Sequence, residues 1–262
     1  MGANLAPLAR ASVGGAIVLA IACAAPRSRA GFGAPRVDLR GLPPMQPSVA
    51  PSREASGQAP AERYARLDRA RCEAELARRS VPFSRVDDAP GVLAPVRLSG
   101  PLHGVTYRTG LSAPQRGSSP WEILDCRLAL SLDDFAIQLA THDVVEVVHF
   151  SIYRPPSPRW PADKVASRHP GALAIDTASF VKRDGQSLTV ERDFHGHIGA
   201  PTCGPGASPR PPTPEAVELR RILCDAADAK LFNVTLTPDY NWAHRNHFHL
   251  EVTAGVPWFL VH

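Results

Sequence analysis

Residues 167–191 read SRHPGALAIDTASFVKRDGQSLTVE. From Ala172 to Val181 this is an apolar strand with a single carboxylate, Asp176, in its middle. Asp184-Gly185 is a tight-turn pair, and SLTVE after it predicts the returning strand of a hairpin. An ionised carboxylate inside an apolar strand is costly unless it is paired or meets a cation. In strict alternation Asp176 shares its side with the small residues Ala174 and Ala178, which leave space above it. His169 lies in the turn before the strand, and Gly171 lets that turn fold back, so His169 and Asp176 can meet at one ion.

A second stretch, residues 244–251, reads HRNHFHLE. In a strand His247 and His249 point to one side while Phe248 and Leu250 point into the core. His169, Asp176 and His249 then form a set of two imidazoles and one carboxylate. That set leaves a coordination position open, as catalytic zinc sites do and structural ones do not. Zinc lowers the pKa of a bound water to about 7. His247, two residues from a ligand on the same side, is placed to receive and return protons. The chain has a second His-x-His pair, His195 and His197, in a Gly-rich loop; it reads as solvent-exposed loop, with metal contact or substrate gating as the alternative.

Around these stretches the pattern is α+β, with a small, mainly antiparallel sheet and flanking helices. Leu67, Ala70, Ala74 and Ala77 are spaced as the stripe of a first helix. LAPVRL and GVTYR, between Gly91 and Arg108, read as a hairpin or two short strands. Leu128, Leu132, Phe135 and Leu139 mark a second helix. Val144–Tyr153 reads as a strand with Val144, Val148, Phe150 and Ile152 on one face and His149, Ser151 and Tyr153 on the other. Pro155–Pro170 is a proline-rich loop, and 192–213 is a long Gly/Pro loop. Thr213 caps a helix with Pro214 in its first turn and Ala216, Leu219, Leu223 and Ala226 as its buried stripe. Leu231–Leu236 and His247–Thr253 are the last strands.

The 262 residues suffice for one sizeable core plus a tail. Net charge is only +4, with scattered arginines and no basic run, which argues against a nucleic-acid partner. Residues 1–23 read as an export signal: Arg10, then the apolar run Ala11–Ala22, then Cys23. Two outcomes fit, lipidation at Cys23 or cleavage near Ala25, and any membrane attachment would come through that lipid. Residues 24–61 form a Pro/Ala/Gly-rich tether, and the domain spans 62–262. Four further cysteines, Cys72, Cys126, Cys203 and Cys224, suit two disulfides in an exported chain. Three pairings fit, of which Cys72–Cys126 with Cys203–Cys224 is the most local.

The SxHxxGxAxD pattern ending at Asp176, followed by HxxHxH at His244–His249, resembles the zinc D-Ala-D-Ala carboxypeptidase and murein endopeptidase superfamily. Still closer is a resemblance to the bacterial extensin-like C-terminal domain family. It is carried by CEAELARRSVPFSRV, APVRL, the Cys126 helix, SRHPGALAID and LTPDYNWAHRNHFHLEV, and covers nearly all of Glu62–Gly255. The resemblance implies a hedgehog/DD-peptidase-like fold, a Zn2+ ion on His169, Asp176 and His249, and a catalytic role for His247. It makes His244 an active-site neighbour. Ser151-Ile152-Tyr153-Arg154 resembles the superfamily's Tyr-Arg segment, which implies Tyr153 near substrate and Arg154 holding substrate and developing oxyanion charge. Ser167 would hydrogen-bond near the site and orient the His169 turn. Arg168 stands where the resemblance leads one to expect Glu. The implied activity is hydrolysis of amide bonds in peptidoglycan peptides by an exported, monomeric, periplasmic or cell-envelope enzyme. The alternative is a wall-binding module that keeps the metal without catalysis.

Overall fold

The computed structural model describes residues 57–161 and 163–262. The expected export signal, Cys23 and most of the tether lie outside these residues. Among the described residues no helix is long and apolar enough to cross a membrane.

The chain opens with two short helices, α1 (Pro60–Ala65) and α2 (Arg69–Arg78), where the sequence predicted one. Asp68 divides them by capping α2, its carboxylate accepting from the Arg71 N–H at 2.9 Å. The expected stripe also moves. Ala70, Ala74 and Ala77 face solvent, and Cys72, Glu73 and Leu76 are buried. The cause is covalent: Cys72 is bonded to Cys126, so the Cys72 side of α2 must face the core. Cys203 is bonded to Cys224.

Strands β1 (Phe83–Arg85), β2 (Pro95–Leu98) and β4 (Leu124–Asp125) form an antiparallel three-stranded sheet in the order β1-β2-β4. Strand β3 (Thr106–Thr109) joins the other sheet, so LAPVRL and GVTYR are two strands and not a hairpin. After the short helix α3 (Ala113–Ser118), helix α4 (Cys126–Thr141) fills the centre, with Leu128, Leu132, Phe135 and Leu139 all buried. Then come β5 (Val144–His149), β6 (Ala174–Lys182), β7 (Ser187–Thr189), a one-turn α5 (Val190–Asp193), α6 (Pro214–Asp228), β8 (Val234–Leu236), β9 (Phe248–Glu251) and β10 (Leu260–Val261). Thr213 caps α6 as expected, accepting from the Ala216 N–H, and the predicted stripe is buried.

The larger sheet has seven strands in the order β10-β8-β9-β6-β5-β3, with β7 on β6 beyond β9. The fold is α+β, but the sheet is mixed: β3 with β5 and β8 with β10 run parallel. The β6–β7 turn at Asp184-Gly185 forms as predicted, Gly185 supplying φ +88°. Phe135 of α4 meets Phe180 of β6 and Phe232 edge-on, and Phe180 and Phe194 meet Phe248 of β9. Each such buried ring contributes about 1.5–3 kcal/mol of transfer free energy.

Two β-bulges decide which side chains leave this core. On β5, Val144 pairs with Lys182 but Glu146 pairs with Val181, so Val145 is extra. Alternation therefore flips: Val144, Val147 and His149 are buried and Phe150 is 46% exposed. The expected face of Val144, Val148, Phe150 and Ile152 does not exist as one face. On β6, Val148 pairs with Ser179 and His149 with Thr177, so Ala178 is extra. This is why Ile175 and Phe180, of opposite parity, both reach the core. Asp176, of the same parity as Phe180, is released to the opposite face of the sheet.

Candidate metal centre

Asp176 on β6 lies directly across the ladder from His249 on β9. Facing pairs in an antiparallel ladder project to the same side, so backbone register alone brings these two together. His169 arrives from a 3₁₀ turn, His169–Gly171, just before β6. The turn is tight: a Cβ on Gly171 would sit 2.1 Å from the Ala166 carbonyl oxygen. Close backbone approach, and not a left-handed conformation, is what requires glycine there. Arg168 and Ala172 on either side do adopt left-handed φ of 53°, so the turn stores backbone strain. The Ser167 backbone carbonyl accepts from the Gly171 N–H at 3.1 Å. Its contribution to the turn is thus made by the main chain.

His169 Nε2 lies 3.1 Å, His249 Nδ1 3.0 Å and His247 Nε2 3.5 Å from the same Asp176 oxygen, Oδ1. Candidate ligand atoms of His169, Asp176 and His249 all fall within 4.8 Å of one another, and all three residues are buried. Burial pushes the Asp176 carboxyl up, but hydrogen bonds to His169 and His249 outweigh it and hold the group well below the usual carboxylate range.

Hydrogen bonding sets the tautomers. His169 Nδ1 is 2.8 Å from the Ile152 carbonyl, which can only accept, so Nδ1 carries the proton and Nε2 turns toward Asp176. His249 Nε2 is 3.1 Å from Glu251 Oε2. Glu251 is 3% exposed; burial pushes its pKa up, but the bonds from His249 and Thr253 bring it below the ordinary value. An ionised Glu251 accepts from Nε2–H and leaves Nδ1 facing Asp176. In their neutral forms, then, both imidazoles aim a lone pair at a buried anion. That arrangement calls for a cation between them, a proton or a metal ion. Burial pulls the His249 pKa down while Asp176 and Glu251 raise it more, which reflects the same demand. The donor set fits zinc.

The rest of the expected site is placed as follows. His247 donates from Nδ1 to Asn246 Oδ1 at 2.9 Å, turning Nε2 toward Asp176. Burial lowers the His247 pKa, so the ring is neutral at neutral pH. His244 lies against it, ring centroids 5.1 Å apart, and its pKa is lowered to about 4, chiefly by burial. Arg154 donates from Nε to Ser151 Oγ at 2.8 Å and from Nη2 to Asp176 Oδ2. Tyr153 is buried, and its hydroxyl donates to the Pro90 carbonyl at 2.9 Å. It braces the loop that carries Arg154. His195 and His197 lie in the loop after α5, flanking a groove described below. Half-exposed Phe150 meets His247 edge-on at 5.8 Å.

Two contributors escaped the reading of the sequence. One is the Ile152 carbonyl, which carries no side-chain signal. The other is Glu251, which did carry one. His247, His249 and Glu251 alternate, so the acid shares the ligand's side of β9.

Together these features define an α+β domain whose central sheet carries a His–Asp–His cluster, its candidate ligand atoms within 4.8 Å of one another, on the face opposite α4. The chain belongs to the Extensin-like protein C-terminus family, which it matches over residues 70–258. No curated protein and no solved structure gives a match.

Proposed function

We propose that this domain is a zinc-dependent hydrolase of amide bonds in peptidoglycan peptides, acting outside the cytoplasm. The observation that carries this reading is the pair of imidazole nitrogens, with tautomers set by the Ile152 carbonyl and Glu251, converging with buried Asp176 within 4.8 Å. The residue-level resemblance to the zinc carboxypeptidase and murein endopeptidase superfamily supports it, and so do two disulfides, which suit an exported chain.

Zinc held by His169, Asp176 and His249 would supply Lewis acidity and an acidified water. The chain's own residues do the rest. His247, neutral and with Nε2 turned into the site, takes a proton from the nucleophile and returns it to the leaving amine. Asn246 holds that ring in the required tautomer. Arg154 is braced by Ser151 and keeps half its side chain exposed, so its remaining N–H donors can face a substrate carbonyl as negative charge develops. His244, held neutral by burial, keeps positive charge away from His247.

One observation favours a second reading, a wall-binding module without catalysis. Arg154 already contacts Asp176, and a guanidinium can neutralise that carboxylate without a metal. The deciding experiment combines zinc analysis of the purified protein with mass spectrometry of muropeptides incubated with wild type and His247→Ala. The hydrolase reading expects about one zinc per chain, new amine and carboxyl termini with wild type, and about 100-fold or greater loss in the variant. Bound zinc with no cleavage of any muropeptide leaves the module. Absence of zinc affinity sinks the hydrolase.

A further inference from the structure

Beside the His–Asp–His cluster lies a groove of about 420 Å³, lined among others by Glu191, His195, His197, Ile198, Trp242 and Arg245. It adjoins the centre through Asn241 and His244. Asn241 lines the groove and its Oδ1 accepts from His244 Nδ1 at 2.8 Å, and His244 packs on both His247 and His249.

Trp242 is the most exposed large apolar side chain among the described residues, at 70%. Its position is nonetheless set. It starts a 3₁₀ turn, Trp242–His244, capped by the Asn241 side chain, and the Arg245 guanidinium covers one face of the indole at 4.8 Å from the ring centre. The side chain nonetheless keeps 70% of its surface exposed. With Ile198, 56% exposed on the same groove, it forms an exposed apolar pair among polar lining residues, an arrangement that suits an amphipathic ligand.

The opposite wall is equally set. Gly196 lies so close to Pro238 that a Cβ would come within 2.7 Å of it, and His195 takes a left-handed φ of 50°. His197 N–H donates to Asp239 Oδ1 and Gly199 N–H to the Asp239 carbonyl, both at 2.7 Å. Asp239 is fully buried and is held in turn by Arg220 at 2.9 Å and Thr202 at 3.0 Å. A buried ion pair is a poor way to gain stability. Here it ties the turn bearing Trp242 to the loop bearing His195 and His197, so both walls are preformed.

The chemistry selects the occupant. An extended peptide is usually bound by adding to a sheet edge. This groove offers none: its lining comes from α5, the 195–198 loop and the 238–245 turn, all outside the strands. It offers a largely exposed indole beside separate donors and acceptors of both charge signs: Glu191, His195, His197, Asn241 and Arg245. A pyranose presents the complement, a flat C–H face with hydroxyl and amide groups around its edge. We propose that the groove binds an N-acylated amino sugar of the glycan strand that bears the peptide substrate. The inference rests on the hydrolase reading for its substrate, but its test does not pass through hydrolysis.

The test is calorimetric titration of the full chain with the tetrasaccharide of N-acetylglucosamine and, separately, with a sugar-free stem pentapeptide. Wild type binds the tetrasaccharide, and Trp242→Ala weakens that binding by about tenfold or more, the range expected for loss of a stacking platform. Glu191→Gln weakens it too. Trp258→Ala, another exposed tryptophan but one outside the groove, leaves it unchanged. Unchanged thermal melting of Trp242→Ala confirms that only the platform was removed. Absence of tetrasaccharide binding to wild type, equal binding by wild type and Trp242→Ala, or a Trp242 effect confined to the pentapeptide would each overturn the proposal. Saccharide binding without amide cleavage refutes the hydrolase reading alone, and cleavage without saccharide binding refutes the groove alone.

Discussion

Glu251→Gln tests the central physical claim, that the histidines are pre-set to offer lone pairs to a metal. Glu251 is buried and ionised and can only accept, so His249 carries a proton on Nε2 and, in its neutral form, presents the Nδ1 lone pair. A glutamine amide can accept or donate. In its donating orientation it stabilises the other tautomer, which places N–H where the metal must bind. It also removes the charge that makes the imidazole a better ligand. Partners of this kind contribute about 10–100-fold in metal affinity, or about 1.4–2.7 kcal/mol. Because Glu251 bonds His249 directly at 3.1 Å and is 3% exposed, screening by water is weak and the upper half of that range is expected. Glu251→Asp, which keeps the charge, should lose less. Competition against a chromophoric chelator near neutral pH measures the affinities directly. If Glu251→Gln binds zinc within about twofold of wild type while Asp176→Asn loses it, the tautomer argument is wrong, because the 10–100-fold effect it requires is absent.

Three further outcomes follow from the same geometry. Gly171→Ala forces a methyl against the Ala166 carbonyl, where 2.1 Å is available; it should lower stability by about 1–3 kcal/mol and weaken zinc binding in parallel, whereas a drop in thermal midpoint with unchanged zinc affinity would unlink the turn from the site. Replacing both cysteines of a pair by alanine should destabilise more for Cys72–Cys126, which spans 54 residues, than for Cys203–Cys224, which spans 21; loop entropy gives about 4 and about 3 kcal/mol, and denaturant unfolding that reverses this order would contradict it. Buried His149, with Nδ1 unpartnered, has its pKa lowered to about 3 by burial, with nearby Asp176 opposing. Its folded pKa lies below the unfolded value, so its contribution is complete above about pH 6.5 and is lost as pH falls toward the folded pKa, at about 1.4 kcal/mol per unit. Metal-free His149→Gln should therefore lose stability less steeply on acidification in urea titrations, and an unchanged slope would show that the ring is not buried neutral.

The sequence and the structure agree where a local cause is sufficient. Helix α4 announces itself by its apolar spacing and α6 by spacing and its Thr213 cap, signals that act within a turn or two, and the Asp184-Gly185 turn does so because its glycine needs positive φ. The first helix misleads because its outward side is alanine, which fits a stripe as well as leucine does, and the true buried side is chosen by a disulfide partner 54 residues away. The strand at Val144–His149 misleads because alternation assumes an unbroken ladder, and Val145 is one residue too many for its neighbour. Nothing in the composition of a single strand records such a mismatch; it is a property of the pair.

That same property explains the candidate site. Strict alternation puts Asp176 and Phe180 on one face, which would bury a carboxylate among Phe135, Phe248 and Phe180 at a cost of several kcal/mol. The extra residue at Ala178 lets one strand serve both surfaces: Phe180 closes the core, and Asp176 meets His249 on the far face. Deleting Ala178 should therefore do more than loosen an edge. The hydrophobic register of either the Ile175 or the Phe180 half would have to invert, so either the core opens or Asp176 is driven into it. The shortened chain should fail to fold cooperatively even with zinc present, while a deletion in the Asp184-Gly185 turn, which leaves the β6 ladder upstream untouched, should fold and keep its metal affinity. A stable, zinc-binding Ala178 deletion would show that the bulge does not sort these side chains.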